Sequence, residues 1–438
     1  MNRVVVLLSD TTWASSFVSV VVLYYVALWI ASMRRERNQS ELDESHYQPF
    51  VVVMVPALNE EKVIGQSLNR LLEIPYDNLL ILMVDDGSDD STRTIAQEVA
   101  ARTDRLLIVE RQFPEARLGK SAALNHGLAA VHELIRARDG ILAGRSPSEV
   151  LIGIVDADGS LDLDTMSVIT PYFADAQVGQ LQIGVKIANA TSNLLTRLQD
   201  MEFVGFSSFV QVARDRIGSS GLGGNGQFTR LSALDELGRA PWTPTALTED
   251  LDLGLALVAL GWQTRFTNRC FVHQQGLTRW RPLLRQRTRW IQGHYQCWKH
   301  IPQLLKSSKV RLAARLDLVV YLLLVVTVVV VTFLLLTGLS TLFGWYVFHN
   351  EFLSFLPYGG IRNAASAFLM LAPITAFLTT YQHHSDARLR FWELPAFGFV
   401  FTLYSYVWVI ATARAWGRML FRRKNWVKTP RVAAVPIS

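Results

Sequence analysis

From Leu318 to Asn350 the chain carries no formally charged side chain, and the centre of that stretch reads VVYLLLVVTVVVVTFLLL. In hydrocarbon every backbone N–H and C=O must be satisfied within the segment, so a helix is expected. The β-branched residues of 319–332 would otherwise suit a strand in water. Trp13 to Met33 is a second charge-free run, about the 20 residues needed to span a bilayer core. Asn363 to Gln382 and Leu394 to Ala413 are two further candidates. Only 18% of the 438 residues are charged, where soluble domains are nearer a quarter, and 50% are hydrophobic. That balance excludes a disordered or fibrous chain. Two cysteines, Cys270 and Cys297, exclude a disulfide framework and a Cys-rich zinc module.

Charge placement orients the frame. Arg34, Arg35 and Arg37 follow the first run. A secretory signal would carry its charge before the apolar stretch and a cleavage site after it. The expectation is an uncleaved anchor, with residues from 34 onward in the cytoplasm. After Glu393 come Arg414, Arg418, Arg422, Arg423, Lys424, Lys428 and Arg431, with no acidic residue. The net charge of +6 therefore gathers beside an apolar run, as at an anionic cytoplasmic leaflet, and does not argue for nucleic acid. One early and three later crossings would put this basic tail outside. Either the last run stops short, broken by Pro395, or 318–356 crosses twice.

Between the anchors, residues 50–310 alternate strand and helix. Phe50 to Val55, Leu79 to Val84, Leu106 to Val109 and Val150 to Val155 read as buried strands. Asn59-Glu60-Glu61, Ser91 to Arg102 and Ser121 to Ala137 read as helices or helix starts. Asp139 to Glu149 reads as a surface insertion. The fold class expected is a doubly wound, mostly parallel α/β domain inserted between transmembrane helices. The expected division is a 1–33 anchor, a 34–49 linker, a 50–278 catalytic domain, 279–310 interfacial helices, 311–413 transmembrane helices and a 414–438 basic tail. The location expected is the plasma membrane, multi-pass, with the catalytic domain cytoplasmic.

In such sheets ligands sit beyond the strand C-termini. Pro56-Ala57-Leu58-Asn59-Glu60 follows the first strand, Asp85-Asp86-Gly87-Ser88 the second, and Asp156-Ala157-Asp158 the fourth. One such Asp is most often a turn or cap residue; three acidic or polar strand ends at one edge point to a ligand. Asp-x-Asp offers hard oxygens to Mg²⁺ or Mn²⁺, with a diphosphate completing the shell. Lys120, in Leu118-Gly119-Lys120-Ser121, could counter a phosphate or be a solvated helix start. The P-loop and GxGxxG patterns are absent. Gly221-Leu222-Gly223-Gly224-Asn225-Gly226 would let backbone approach a ligand closely, or be a plain loop. Thr248-Glu249-Asp250 and Gln286-Arg287-Thr288-Arg289-Trp290 follow. Phe203, Phe206 and Phe209 recur at helical spacing, as core or as an interfacial face.

In this order the motifs resemble the family 2 inverting glycosyltransferases of GT-A fold. The nearest likeness is to the membrane-embedded cellulose, hyaluronan and poly-N-acetylglucosamine synthases and the glycosyl-diacylglycerol synthases. The resemblance covers about residues 50–300 and implies roles. Asp85 and Asp86 would face the uridine, with Pro56, Asn59 and Glu60 lining the pocket. Lys120 and Asp156 would hold the donor, and Asp156 with Asp158 the metal. Asp250, beside Glu249, would be the general base. Gln286, Arg289 and Trp290 would close over diphosphate and acceptor. The implied partners are a UDP-sugar donor, a glycan or lipid acceptor, membrane lipid and a small accessory subunit. The reaction implied first is processive synthesis of a β-linked polysaccharide coupled to translocation. The alternative is sugar transfer to a diacylglycerol-type lipid, because Gln-x-x-Arg-Trp occurs in both groups. A non-enzymatic scaffold or transporter is the remaining class, disfavoured by the complete set of carboxylates.

Overall fold

The computed structural model describes residues 11–33, 47–324, 326 and 373–421, with side chains from residue 20. Helix α1 spans Thr11–Met33. Strand β1 is Phe50–Ala57, helix α2 Ile64–Leu72, β2 Leu79–Asp85, α3 Thr92–Ala100, β3 Leu106–Glu110 and α4 Lys120–Arg136. Then come β4 Val150–Ile154, β5 Ser160–Leu161 and β6 Val178–Ile187. Helix α5, Leu194–Gly205, runs through a π-helical turn, Phe206–Gln211, into α6, Val212–Ile217. Strand β7 is Gln227–Arg230, α7 Glu249–Leu260, β8 Gln263–Gln274 and α8 Trp280–Gln296. Residues 312–324 and 373–384 are helical, and α9, Leu394–Ser405, continues into α10, Val407–Leu420.

The strands form one sheet in the order β3-β2-β1-β4-β7-β6-β8-β5. β1 is parallel to β2 and β4, β2 to β3, and β6 to β8. β7 runs antiparallel to both β4 and β6, and β5 antiparallel to β8. The sheet is thus more mixed than the expected parallel one. The first four strands were visible as apolar runs. The β7 segment QFTR has no such run, because glycine loop and strand share one short stretch.

Strand period and helix period meet in the core. Val51, Val53 and Val55 pack on Ile64, Leu68 and Leu71 of α2, while Phe50, Val52 and Met54 pack on Leu124, Leu128 and Val131 of α4. Both sheet faces are covered, which is why β1 is apolar at every position. Each fully buried Val or Leu contributes about 2 kcal/mol of transfer free energy.

Two local readings are corrected. Helix α2 begins at Ile64, not at Asn59; Asn59 takes a positive φ of 53° and closes a loop instead. The 139–149 insertion is not only surface. Leu142 is buried against Phe50 and Leu124, and the Arg145 guanidinium lies 4.6 Å from the Phe50 ring centroid.

Among the described residues one helical stretch, Phe391–Leu420, is long and apolar enough to cross a bilayer, and Val20–Ser32 is a shorter apolar one. Most of the 318–350 run, the first half of 363–382, the linker over 34–46 and the basic residues from Arg422 onward lie outside the described residues. The described apolar helices pack on the domain. Phe209 is fully buried, 6.3 Å from Tyr25 of α1 and 5.7 Å from Phe377, ring centroid to centroid. Phe203 meets Trp290 edge-on at 6.1 Å. Phe209 is core between the α/β domain and the apolar helices, while Phe203 and Phe206 are half-buried.

Candidate active site

The ends of β1, β2 and β4 open into a cleft of about 1730 Å³. Its walls come from four places: the strand-end loops, the glycine stretch before β7, the N-terminus of α7, and α8 with the apolar helices.

After β1 and β2 two loops brace each other. Asn59 Nδ2 donates to Asp89 Oδ1 at 2.6 Å, and Asn59 Oδ1 accepts from Asp89 N at 3.0 Å. Asn59 therefore clamps the second loop and does not line the cleft. Pro56, Glu60 and Asp86 do line it. The Asp86 carboxylate accepts from Arg117 N at 2.9 Å and pairs with the buried Arg111 guanidinium. Burial pushes its carboxyl above the ordinary range, opposed by those two arginines. Asp85 turns the other way. It is fully buried, pairs with Arg93 at 3.1 Å and accepts from Ser88 N at 3.2 Å. Of the two expected uridine-facing aspartates, only Asp86 reaches the cleft.

Asp156 and Asp158 likewise part company. A turn closed by Gly159 N to Asp156 O at 2.7 Å sends Asp158 towards Val63, Gln66 and Gln275, where its Oδ2 accepts from Gln275 N at 3.3 Å. Asp156 stays in the cleft, paired with Lys120 Nζ at 2.6 Å. Among the described residues no three His, Cys, Asp or Glu side chains converge as a metal cage. One cleft carboxylate still fits Mg²⁺ or Mn²⁺, which are commonly held by one or two carboxylates plus substrate phosphates.

Lys120 lies at the first turn of α4 and also stands 3.5 Å from Glu249 and 3.3 Å from Gly224 O. Burial would lower its pKa, but the Asp156 and Glu249 charges outweigh that and hold the ammonium firmly protonated. Glu249 and Asp250 open α7, where the helix dipole favours negative charge. Burial, then the adjacent Glu249 charge, push the Asp250 carboxyl up to about 7, with Lys120 opposing. Gly224 has a φ of +78°, and a β-carbon there would stand 2.9 Å from Asp250 Oδ2. Gly293 of α8 is equally constrained: a β-carbon would meet Thr248 Oγ1 at 2.5 Å. Absent side chains at 224 and 293 thus let the glycine loop and α8 close on the α7 N-terminus.

On α8, Gln286, Arg289 and Trp290 all line the cleft. Gln286 Oε1 accepts from Arg287 Nη1 at 2.9 Å. Arg289 is half-buried in the cleft wall. The Trp290 indole is stacked on Trp408, centroids 6.2 Å apart. Four side chains escaped the sequence reading. Arg111 follows β3, the one strand end passed over. Gln182 of β6 holds the glycine loop, accepting from Gly223 N and donating to Asn225 O, each at 2.8 Å. Glu202 and Trp408 meet the motif helix from 85 and 118 residues away, with no local signal.

A model of the family described as glycosyltransferase like family 2 matches residues 48–293. A beta-monoglucosyldiacylglycerol synthase of Trichormus variabilis is 29% identical over 427 residues, spanning 95% of this chain and 84% of its own. That of Synechocystis sp. is 30% identical over 396 residues, spanning 88% and 76%. Among solved structures, the mannosyltransferase PcManGT from Pyrobaculum calidifontis, in complex with GDP-Man and Mn²⁺, matches with a TM-score of 0.54 at 18% identity, covering 93% of this chain and 99% of that one. A family model over more than half the chain, and a relative 30% identical over 88% of it, agree with the mixed α/β, GT-A-like domain: this chain belongs to the family 2 glycosyltransferases.

Proposed function

We propose that the chain transfers a hexose from a UDP-sugar to a diacylglycerol-type lipid acceptor. The observation that carries this reading is the continuity of the cleft. One cleft is lined both by Asp86, Asp156 and Asp250 and by Val22 and Tyr25 of α1 with Ile374, Phe377 and Val409 of the apolar helices. A headgroup hydroxyl could meet Asp250 while acyl chains stay in apolar surroundings. The beta-monoglucosyldiacylglycerol synthases that span most of the chain favour this alternative over processive polysaccharide synthesis.

Asp86 and Glu60 would receive the nucleotide end of the donor. Arg289, on the cleft wall, would form charge-assisted bonds to diphosphate oxygens. Mg²⁺ or Mn²⁺, held by Asp156 and the diphosphate, would supply Lewis-acid stabilisation of the leaving group when bound. Lys120 adds a fixed positive charge on the same side. Inversion needs one displacement: the acceptor oxygen bonds to the anomeric carbon, the bond from that carbon to the diphosphate oxygen breaks, and UDP leaves. Asp250 takes the hydroxyl proton, and its raised pKa suits a base working near neutrality. A multi-pass arrangement with the catalytic domain at the cytoplasmic face would present this cleft to inner-leaflet lipid.

The test uses membranes containing the protein, radiolabelled UDP-sugars and Mg²⁺, with Asp250→Asn as blank. Label in the organic phase is expected. Label in high-mass, glycosidase-sensitive glycan would return the polymerising reading.

A further inference from the structure

The cleft's acceptor end is built around a side chain with no role in the motifs. Glu202, on the last full turn of α5 before the π-helical turn, lines the cleft. Among the described residues three donors meet its carboxylate. Its Oε2 accepts from Arg287 Nη2 at 2.7 Å and from the Tyr404 hydroxyl, and its Oε1 accepts from Trp408 Nε1 at 2.9 Å. Arg287 is fully buried, its guanidinium carbon 4.1 Å from the Trp290 centroid and 5.2 Å from that of Trp408. The contacts close a ring: Glu202 to Arg287, Arg287 to Trp290, Trp290 to Trp408, and Trp408 back to Glu202. Arg287 also holds Gln286 through Nη1.

We propose that Glu202 is a positioning residue that fixes Trp290 and Gln286 for the acceptor and makes their placement depend on docking of the α9–α10 helix pair. The argument rests on the reading of Trp290 and Gln286 as the acceptor end. A guanidinium stripped of water beside two indoles needs a full counter-charge, and Glu202 supplies it at 2.7 Å. The carboxylate's two remaining donors, Tyr404 and Trp408, stand on the apolar helices. The same anion therefore ties the motif helix to the segment that would meet lipid. Arg287 alone could not orient Trp290, because a cation over an indole face is tolerant of sliding. Trp408, anchored by its own N–H, supplies the second fixed plane. π-Helical turns are frequent at functional sites, and the one after Gly205 begins directly beyond this ring.

The experiment compares wild type with Glu202→Gln in the full-length protein. Glutamine keeps the shape but turns an N–H₂ towards groups that donate. Two readouts are taken: the exciton couplet of the Trp290–Trp408 pair in far-ultraviolet circular dichroism, referenced to Trp408→Phe, and separate KM values for donor and dioleoylglycerol in mixed micelles. The couplet should fall by at least half, and acceptor KM should rise about tenfold while donor KM stays within about twofold. An unchanged couplet, or equal changes in both KM values, would overturn the proposal. Should Glu202→Gln not fold, Trp408→Phe keeps an aromatic side chain beside Trp290 but removes the indole N–H that donates to Glu202; the same split in KM is expected of it, and equal shifts would again sink the idea. If wild type glycosylates no dioleoylglycerol, the lipid-acceptor reading fails and the couplet alone decides whether Glu202 positions Trp290.

Discussion

Asp250 sits against Gly224 so closely that a single added carbon on the glycine would stand 2.9 Å from the carboxylate oxygen. The glycine is also at a φ of +78°, where an L side chain is strained. Gly224→Ala should therefore displace Asp250 rather than fill space. We expect kcat to fall about 100-fold, as for displacement of a reacting group by about 1 Å, with donor KM nearly unchanged. Steady-state kinetics on membranes check it; unaltered kcat would mean that the loop yields and Asp250 is not held by it.

Asp250→Asn should lower transfer by about 10²- to 10⁴-fold while UDP binding persists, because a base acts in the transition state. The wild-type kcat should climb with pH through about 7, since only the ionised carboxylate accepts a proton. Lys120 lowers that pKa. Lys120→Met, assayed at saturating donor, should move the rising limb to higher pH; a limb that moves down contradicts the arrangement.

Chelation should remove activity, and Mg²⁺ or Mn²⁺ should restore it. The turn at Gly159 leaves Asp156 in the cleft and Asp158 outside it. Asp156→Asn should then weaken metal-dependent UDP binding by about tenfold or more, and Asp158→Asn by less. Calorimetric titration of UDP with and without Mn²⁺ separates the two. Equal losses would show that Asp158 swings into the cleft on binding.

The Asp252 carboxylate, at the first turn of α7, accepts from His300 Nε2 at 2.8 Å and Thr243 Oγ1 at 2.6 Å and pairs with Lys299 at 2.7 Å. Burial pushes its carboxyl up, but these bonds outweigh burial and hold it well below the usual carboxylate range. A lowered folded pKa gives stability that is full above the unfolded value of about 4 and is lost as pH falls further. Asp252→Asn should cost about 2 kcal/mol at neutral pH, seen as a melting temperature lower by a few degrees, and the difference from wild type should shrink below about pH 4. A difference constant with pH would exclude the ion pairs as its source.

The apolar runs, the order of the first strands and helices, and the identity of the carboxylates at the strand ends were legible without a structure. Each is a local property: a charge-free stretch of Trp13 to Met33, an unbroken apolar β1, an acidic residue where a strand stops. Tertiary structure decided which of those residues act together. Asp86 faces the cleft and Asp85 faces Arg93, though they are neighbours, because Arg111 and Arg117 reach one and not the other. Asp156 and Asp158 separate at one turn. Strand β7 enters the sheet antiparallel, and Glu202 finds Arg287 and Trp408, across distances no window of sequence spans. Period and composition fix what an element is. The direction of a side chain in a loop, and its partner from a remote helix, are fixed by single backbone angles such as that of Asn59 and by packing that exists only once the chain has closed.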